Sequence, residues 1–167
     1  MKLKLNLHKH HKSLQLNFAK IEKVLNDYLS THRHLKKAKL MFLELHFIGN
    51  PQMRKINSKH RGIDKSTDVL SFPMLDHLRA KSLDREISRE LKAPEVSLGD
   101  ILICLPVARA QSKKFDVSLE QEVLHLLSHG LLHLLGYDHD ISEKEAAIMQ
   151  AKEDELVKLL YKKLGIE

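Results

Sequence analysis

Leucine alternates with lysine and asparagine over residues 2–7, the period-two pattern of a half-buried strand. The basic tract from His8 to Lys12 reads as a solvated loop. From Ser13, an N-cap residue by type, Leu14, Phe18, Ile21, Val24, Leu25, Tyr28 and Leu29 recur at helical spacing. Leu40, Phe42, Leu45, Phe47 and Ile48 mark a strand over 38–48, closed by Gly49-Asn50-Pro51. A short polar helix over 51–60 leads into Arg61-Gly62, and Val69 to Phe72 form a compact strand ended by Pro73. Residues 75–97 are charged, with loosely periodic leucines and Pro94, and predict an inserted surface loop with one helix. Leu98 to Leu105 is another strand, with Gly99-Asp100 at its start, and Pro106 suits the first turn of a short helix to about Lys114. Ser118 followed by Gln121 has capping-box spacing and opens a helix that carries several histidines. A last helix over 142–164 gathers Ala146, Met149, Leu156, Leu159 and Leu160 on its apolar face, leaving its charged residues to solvent.

Elements in this order predict an α+β fold, with about four strands in a mixed sheet and helices packed on it. The length of 167 residues, 43% of them hydrophobic, suits one core, and neither a repeat nor a linker divides it, so residues 1–167 are read as a single domain. Lysine and arginine outnumber acidic residues 28 to 22, which favours an anionic partner, nucleic acid first. Aromatics make up only 5% and tryptophan is absent, which argues against a broad base-stacking platform. Cys104 is the only cysteine, excluding an internal disulfide and a cysteine-rich zinc module. No apolar run has the length of a signal core or a membrane span, so a reduced cytoplasm is the expected compartment, with no membrane partner.

Residues 129–139, His-Gly-Leu-Leu-His-Leu-Leu-Gly-Tyr-Asp-His, change the picture most. His129 and His133 stand four apart and share one helix face. His125 extends the row, but a span from His125 to His133 is roughly 12 Å at about 1.5 Å per residue, too long for one ion with bonds of about 2 Å. Gly136 allows a left-handed reversal after the helix, and His139 beyond it becomes the better third ligand. The expected site is therefore one divalent ion on His129, His133 and His139 at the end of a central helix, with His125 as a neighbour that does not ligate. Asp138 is a candidate to orient His139 through the free ring nitrogen, or simply to shape the turn. Three imidazoles without a fourth strong ligand describe an open, chemically active site rather than a closed structural one. Such an ion can lower the pKa of water to about 7 or polarise a phosphoryl oxygen. Zinc is the first candidate, although imidazoles also suit nickel or copper. Position 130 is glycine where a zinc protease helix carries its glutamate base, which disfavours peptide hydrolysis.

The histidine run, together with Thr67-Asp68-Val69-Leu70-Ser71-Phe72-Pro73 preceded by Arg61, the Gly99-Asp100-Ile101 strand, and Glu145-Ala146 with Met149 and Glu153, resembles the YbeY family of bacterial rRNA maturation factors. The resemblance implies a metal-dependent, single-strand-specific endoribonuclease acting in maturation of the 16S rRNA 3′ end and in ribosome quality control. It implies ribosome or ribosomal-protein partners without DNA specificity, zinc on the three histidines, and a functional arginine at Arg61. Arg61 would stabilise charge on a phosphodiester beside the ion; read from residues alone, a structural salt bridge is the plainer role. Asp68 and Asp100 are further candidates near the site. Two positions depart from the family pattern: His60 stands where tyrosine is common, and Lys65-Ser66 where a proline is usual, which predicts a less rigid loop. A different class of function fits as well, a ribosome assembly factor that binds RNA and ribosomal proteins around a structural metal.

Overall fold

The computed structural model describes residues 2–8, 14–32, 35, 38–75 and 95–166. Four strands, β1 (Lys2–His8), β2 (Leu40–Ile48), β3 (Val69–Pro73) and β4 (Glu95–Cys104), form one sheet in the order β1-β2-β4-β3. β1, β2 and β4 run parallel, and β3 pairs antiparallel with β4, so the sheet is mixed. The described helices are α1 (Phe18–Ser30), α2 (Asn50–Arg61), α3 (Leu105–Lys114), α4 (Leu119–Leu134) and α5 (Glu143–Leu164).

Alternation along the strands decides which helices cover which face. Leu3, Met41, Leu43, Leu45, Leu98, Ile101 and Ile103 point into the main core, filled from the helices by Ile21, Leu25, Val123, Leu127, Leu131 and Leu156. The opposite face carries a smaller cluster of Ile48, Leu70, Leu102 and Cys104, closed by Met53 of α2. α4, apolar on most sides, lies in the middle of the larger layer, which is why its histidines come to rest at the rim of a rigid element.

Several boundaries differ from the sequence expectation. Helix α1 starts at Phe18 with Asn17 as N-cap, the Asn17 Oδ1 accepting from the Lys20 N–H; Ser13, residues 9–12 and residues 76–94 of the charged insert lie outside the described residues. Leu14 and Leu16 are buried without being helical, so apolar periodicity continued past the true start. β4 begins at Glu95, within the stretch expected to be loop, and Gly99-Asp100 falls inside the strand. There the register against β2 slips between Phe42 and Leu43, and Gly99 takes φ +127°. This bulge inserts one residue, so Leu98 and Ile101 both face the core while Asp100 is delivered to the other face. A side chain at position 99 would meet the Phe72 carbonyl oxygen at 2.1 Å. Glycine is required at that position.

Candidate metal centre

Helix α4 is bounded by local chemistry at both ends. Ser118 Oγ accepts from the Gln121 N–H and Gln121 Oε1 accepts from the Ser118 N–H, the reciprocal capping box. Past Leu134, Gly136 takes φ +87°; its N–H donates to the His133 carbonyl and the Tyr137 N–H donates to the Leu132 carbonyl. This pair of bonds is a Schellman turn, and only a residue tolerant of the left-handed region closes it without strain. The chain is thereby turned back across the end of α4, carrying His139 with it.

The three predicted ligands converge. His129, His133 and His139 each offer a nitrogen, and these atoms lie within 4.8 Å of one another. Ring centroids are separated by 4.6 Å, 5.4 Å and 5.1 Å around the triangle. The Nε2 atoms of His129 and His133 are 3.1 Å apart. A tetrahedral ion with bonds of 2.0–2.1 Å needs ligand nitrogens about 3.3 Å apart, so the donor pair is already near coordination distance. Burial first, then the adjacent imidazoles of His129 and His139, pushes His133 down to about 4, which keeps its lone pair unprotonated at neutral pH. Asp138 and Asp140 cluster with His139, but neither carboxylate joins the three-histidine group. Among the described residues the ligand set stays at three, the composition of an open zinc-type site.

The outer ring nitrogens of His129 and His139 each face a carboxylate. His129 Nδ1 lies 2.9 Å from Glu153 Oε2, and His125 Nδ1 lies 3.2 Å from Glu153 Oε1. A carboxylate only accepts, so in neutral His129 the proton sits on Nδ1 and Nε2 is left free for a cation. His139 Nδ1 is likewise 3.0 Å from Asp140 Oδ1. His125 thus stands outside the triangle and shares the Glu153 carboxylate with His129. Asp138 does not contact the His139 ring through a hydrogen bond; its Oδ1 accepts from the Asp140 N–H and shapes the turn. Glu153 corrects the expectation that the charged residues of the last helix are solvated, because it is only 4% exposed. A signal was present: Met149, Glu153, Leu156 and Leu160 follow the spacing of one helix face, so a carboxylate interrupts an otherwise apolar stripe. Glu153→Gln keeps the size but accepts from only one imidazole, and metal affinity should fall by about 10–100-fold in a chelator-competition titration. Unchanged affinity would reduce Glu153 to a packing role.

The triangle opens on a cleft of about 600 Å³ walled by β3 from Val69 to Pro73 and lined also by His60, Arg61, Thr67 and Asp68. Arg61 is the last residue of α2, released by the left-handed Gly62 cap. It is exposed in the cleft and makes no hydrogen bond or ion pair among the described residues, unlike Arg54, whose Nε donates to Asp64 Oδ1 at 2.7 Å. The structural salt bridge considered for Arg61 therefore has no described partner. Asp68 lines the same cleft with both oxygens engaged, Oδ1 by the Val69 N–H and Thr67 hydroxyl and Oδ2 by Gln111. Burial alone would push its carboxyl up, but those donors outweigh burial and hold it below its ordinary range. Asp100 lies on the α2 side of the sheet, accepting from His46 at 2.8 Å, away from the triangle.

Gly130, between His129 and His133, sets the closeness of α4 to the sheet. A Cβ at this position would lie 2.9 Å from Ile101 Cγ2 and 3.0 Å from Ser71 Oγ. The position has no room for the glutamate of a protease helix, a steric reason for the absence noted in the sequence. Gly130→Ala should overpack this seam and destabilise the protein by about 1–3 kcal/mol, visible as a lower Tm. An unchanged Tm would show that Ile101 and Ser71 yield freely. The two departures at the loop are compensated: the His60 ring packs edge-on against Phe72 at 5.0 Å, and the 65–66 loop is tied by Asn57 Nδ2 to the Lys65 carbonyl and by Ser66 Oγ to the Asn50 carbonyl.

With this geometry established, comparison with known proteins adds ancestry. The family profile described as Endoribonuclease YbeY matches residues 6–161. A protein named Endoribonuclease YbeY from Clostridium perfringens is 39% identical over 144 residues, covering 83% of each chain. One of the same name from Leptospira interrogans is 42% identical over 121 residues, 71% of this chain and 86% of its own. The solution structure of TM1509 from Thermotoga maritima superposes with a TM-score of 0.56 over 95% of this chain and 89% of that one, at 21% identity, a likeness of fold. No described helix is long and apolar enough to cross a membrane.

Proposed function

The chain belongs to the Endoribonuclease YbeY family, and on that footing we propose that it is a metal-dependent endoribonuclease cutting single-stranded RNA. The observation that carries this reading is the convergence of three histidine nitrogens and one unpaired guanidinium on a single cleft. His129, His133 and His139 hold the ion, zinc first among the metals that suit imidazole. When bound, the ion supplies Lewis-acid stabilisation to a phosphoryl group. Arg61 presents a planar fork of N–H donors to the non-bridging oxygens of the same phosphodiester, where negative charge gathers in the transition state. Glu153 holds the His129 ring in its ligating tautomer, and β3 forms the wall along which the strand lies. The formal charge of +6 draws a polyanion towards the cleft, so binding should weaken steeply with salt.

Maturation of the 16S rRNA 3′ end, ribosome quality control, ribosomal partners and a cytoplasmic setting are part of this proposal, as is the choice of zinc. The whole chain, residues 1–167, acts as one catalytic domain in this reading. The attacking group is either water or the ribose 2′-OH; products ending in a 2′,3′-cyclic phosphate would identify the second.

The test is the purified chain on a single-stranded RNA, before and after treatment with a chelator and after restoring zinc. Cleavage that disappears with the chelator and returns with the metal supports the proposal. Cleavage indifferent to the chelator, or equal on the matching DNA strand, overturns it. An assembly factor with a structural ion would instead lose its fold, seen by circular dichroism, when the metal is removed.

A further inference from the structure

A second cavity of about 340 Å³ lies on the other side of Asp68 from the metal cleft, lined by Asp68, Gln111, Phe115, Glu122, His125 and Tyr161 among others. Two of its polar groups lack partners. Gln111 Nε2 donates to Asp68 Oδ2, which fixes the amide orientation and leaves Gln111 Oε1 buried with nothing to accept from. Glu122 is only 6% exposed, and no hydrogen bond or ion pair among the described residues reaches its carboxyl. A buried acceptor without a donor is costly and uncommon, and beside it a carboxylate with no hydrogen-bond donor in the same cavity points to a ligand that brings N–H groups. Burial holds the Glu122 carboxyl above its ordinary range, as expected of an acid deprived of donors. At the rim, Phe115 is 58% exposed, an unusual setting for a phenylalanine, and Lys114 Nζ stands 5.4 Å from its ring centroid. An exposed ring flanked by a cation suits a flat base attached to a phosphate backbone.

We infer that this cavity is a nucleobase subsite, in which a base of the RNA strand stacks on Phe115 and presents N–H donors to Glu122 and Gln111. The inference rests on the RNA-cleaving reading and adds a specificity to it. Guanine fits best, because its Watson–Crick edge alone places two donors side by side, the pattern that one carboxylate accepts. The cavity is coupled to the reaction centre at two points. Asp68 lines both spaces, and His125, on the cavity wall, shares Glu153 with the metal ligand His129. Scarcity of aromatics excludes a broad stacking sheet, but one exposed ring suffices for one base.

The experiment titrates the zinc-loaded full chain with GMP, AMP, CMP and UMP, following backbone amide resonances, while RNA cleavage is assayed on the same preparation. GMP should shift the amides around Gln111, Phe115 and Glu122 and bind at least about tenfold more tightly than the other three. Phe115→Ala should weaken every nucleotide by about tenfold, since stacking is indifferent to base identity. Glu122→Gln, isosteric and therefore folded, should remove the preference for GMP while stacking persists. Equal affinity for all four nucleotides, or shifts confined to residues around His129 and His139, in protein that still cleaves RNA, would overturn the subsite and leave the enzyme reading standing. GMP-selective shifts in protein that never cleaves RNA would uphold the subsite and count against the enzyme reading.

Discussion

His133→Ala should lower RNA cleavage by about a thousandfold or more and strip the protein of its stoichiometric metal, while the chain stays folded. The reasoning starts from position. His133 adjoins both other histidines of the triangle, 3.1 Å from His129 through the facing nitrogens and with its ring centroid 5.1 Å from that of His139. Removing it leaves two imidazoles and a gap, too few donors to retain an open-site ion against solvent. Loss of the ion removes charge stabilisation that only the transition state uses fully, so the effect belongs in kcat. Stability responds differently. His133 is half-buried beside two other imidazoles, and the hydrophobic seam of α4 is built from Leu124, Leu127, Leu131 and Leu134. Thermal unfolding of the metal-free variant should therefore stay within about 1–2 kcal/mol of the metal-free wild type. Metal content by elemental analysis, cleavage rate and Tm are the three measurements. A variant that unfolds outright would mark the ion as structural and favour the assembly-factor alternative.

The second large effect is expected at Arg61. Arg61→Ala should reduce kcat for RNA cleavage by about a hundredfold, with metal content and Tm unchanged. The side chain is exposed at the end of α2 and has no partner among the described residues, so its removal costs the fold little. It lines the same cleft as the three histidines, so in the proposed reaction the guanidinium and the ion would contact one phosphodiester together. Arg61→Lys keeps the charge and loses the fork, so it should recover only part of the rate. Should the alanine variant change KM alone, with a shallower salt dependence, Arg61 would be a docking contact and no part of the chemistry.

The reach of local reasoning along this chain follows a physical boundary. Ser118 with Gln121, the four-residue pitch of His129 and His133, and the reversal at Gly136 all involve groups within one or two turns of each other. Their geometry follows from helix dimensions and capping, and the structure bears out each. Helical periodicity places Glu153 on a solvated face because it treats every charged residue as outward unless a partner across the fold is known. Its partners, His125 and His129, belong to a different helix. Strand β4 starts earlier than the sequence predicts because the alternation of Glu95-Val96-Ser97 is only three residues long and follows Pro94, and the pairing with β2 that makes them a strand is non-local.

By itself, the order of residues determined a histidine triad able to hold a metal, the helix that bears it, its glycine-capped turn and an α+β pattern of elements, since each depends on neighbours in the chain. Only the tertiary structure decided that Arg61 faces that triad, that Glu153 orients one of its rings, and that Gly130 must lack a side chain. Those outcomes depend on the distance between separate elements. The closeness of α4 to Ser71 and Ile101, the sheet bulge at Gly99 and the packing of α5 set that distance, and no local pattern encodes it.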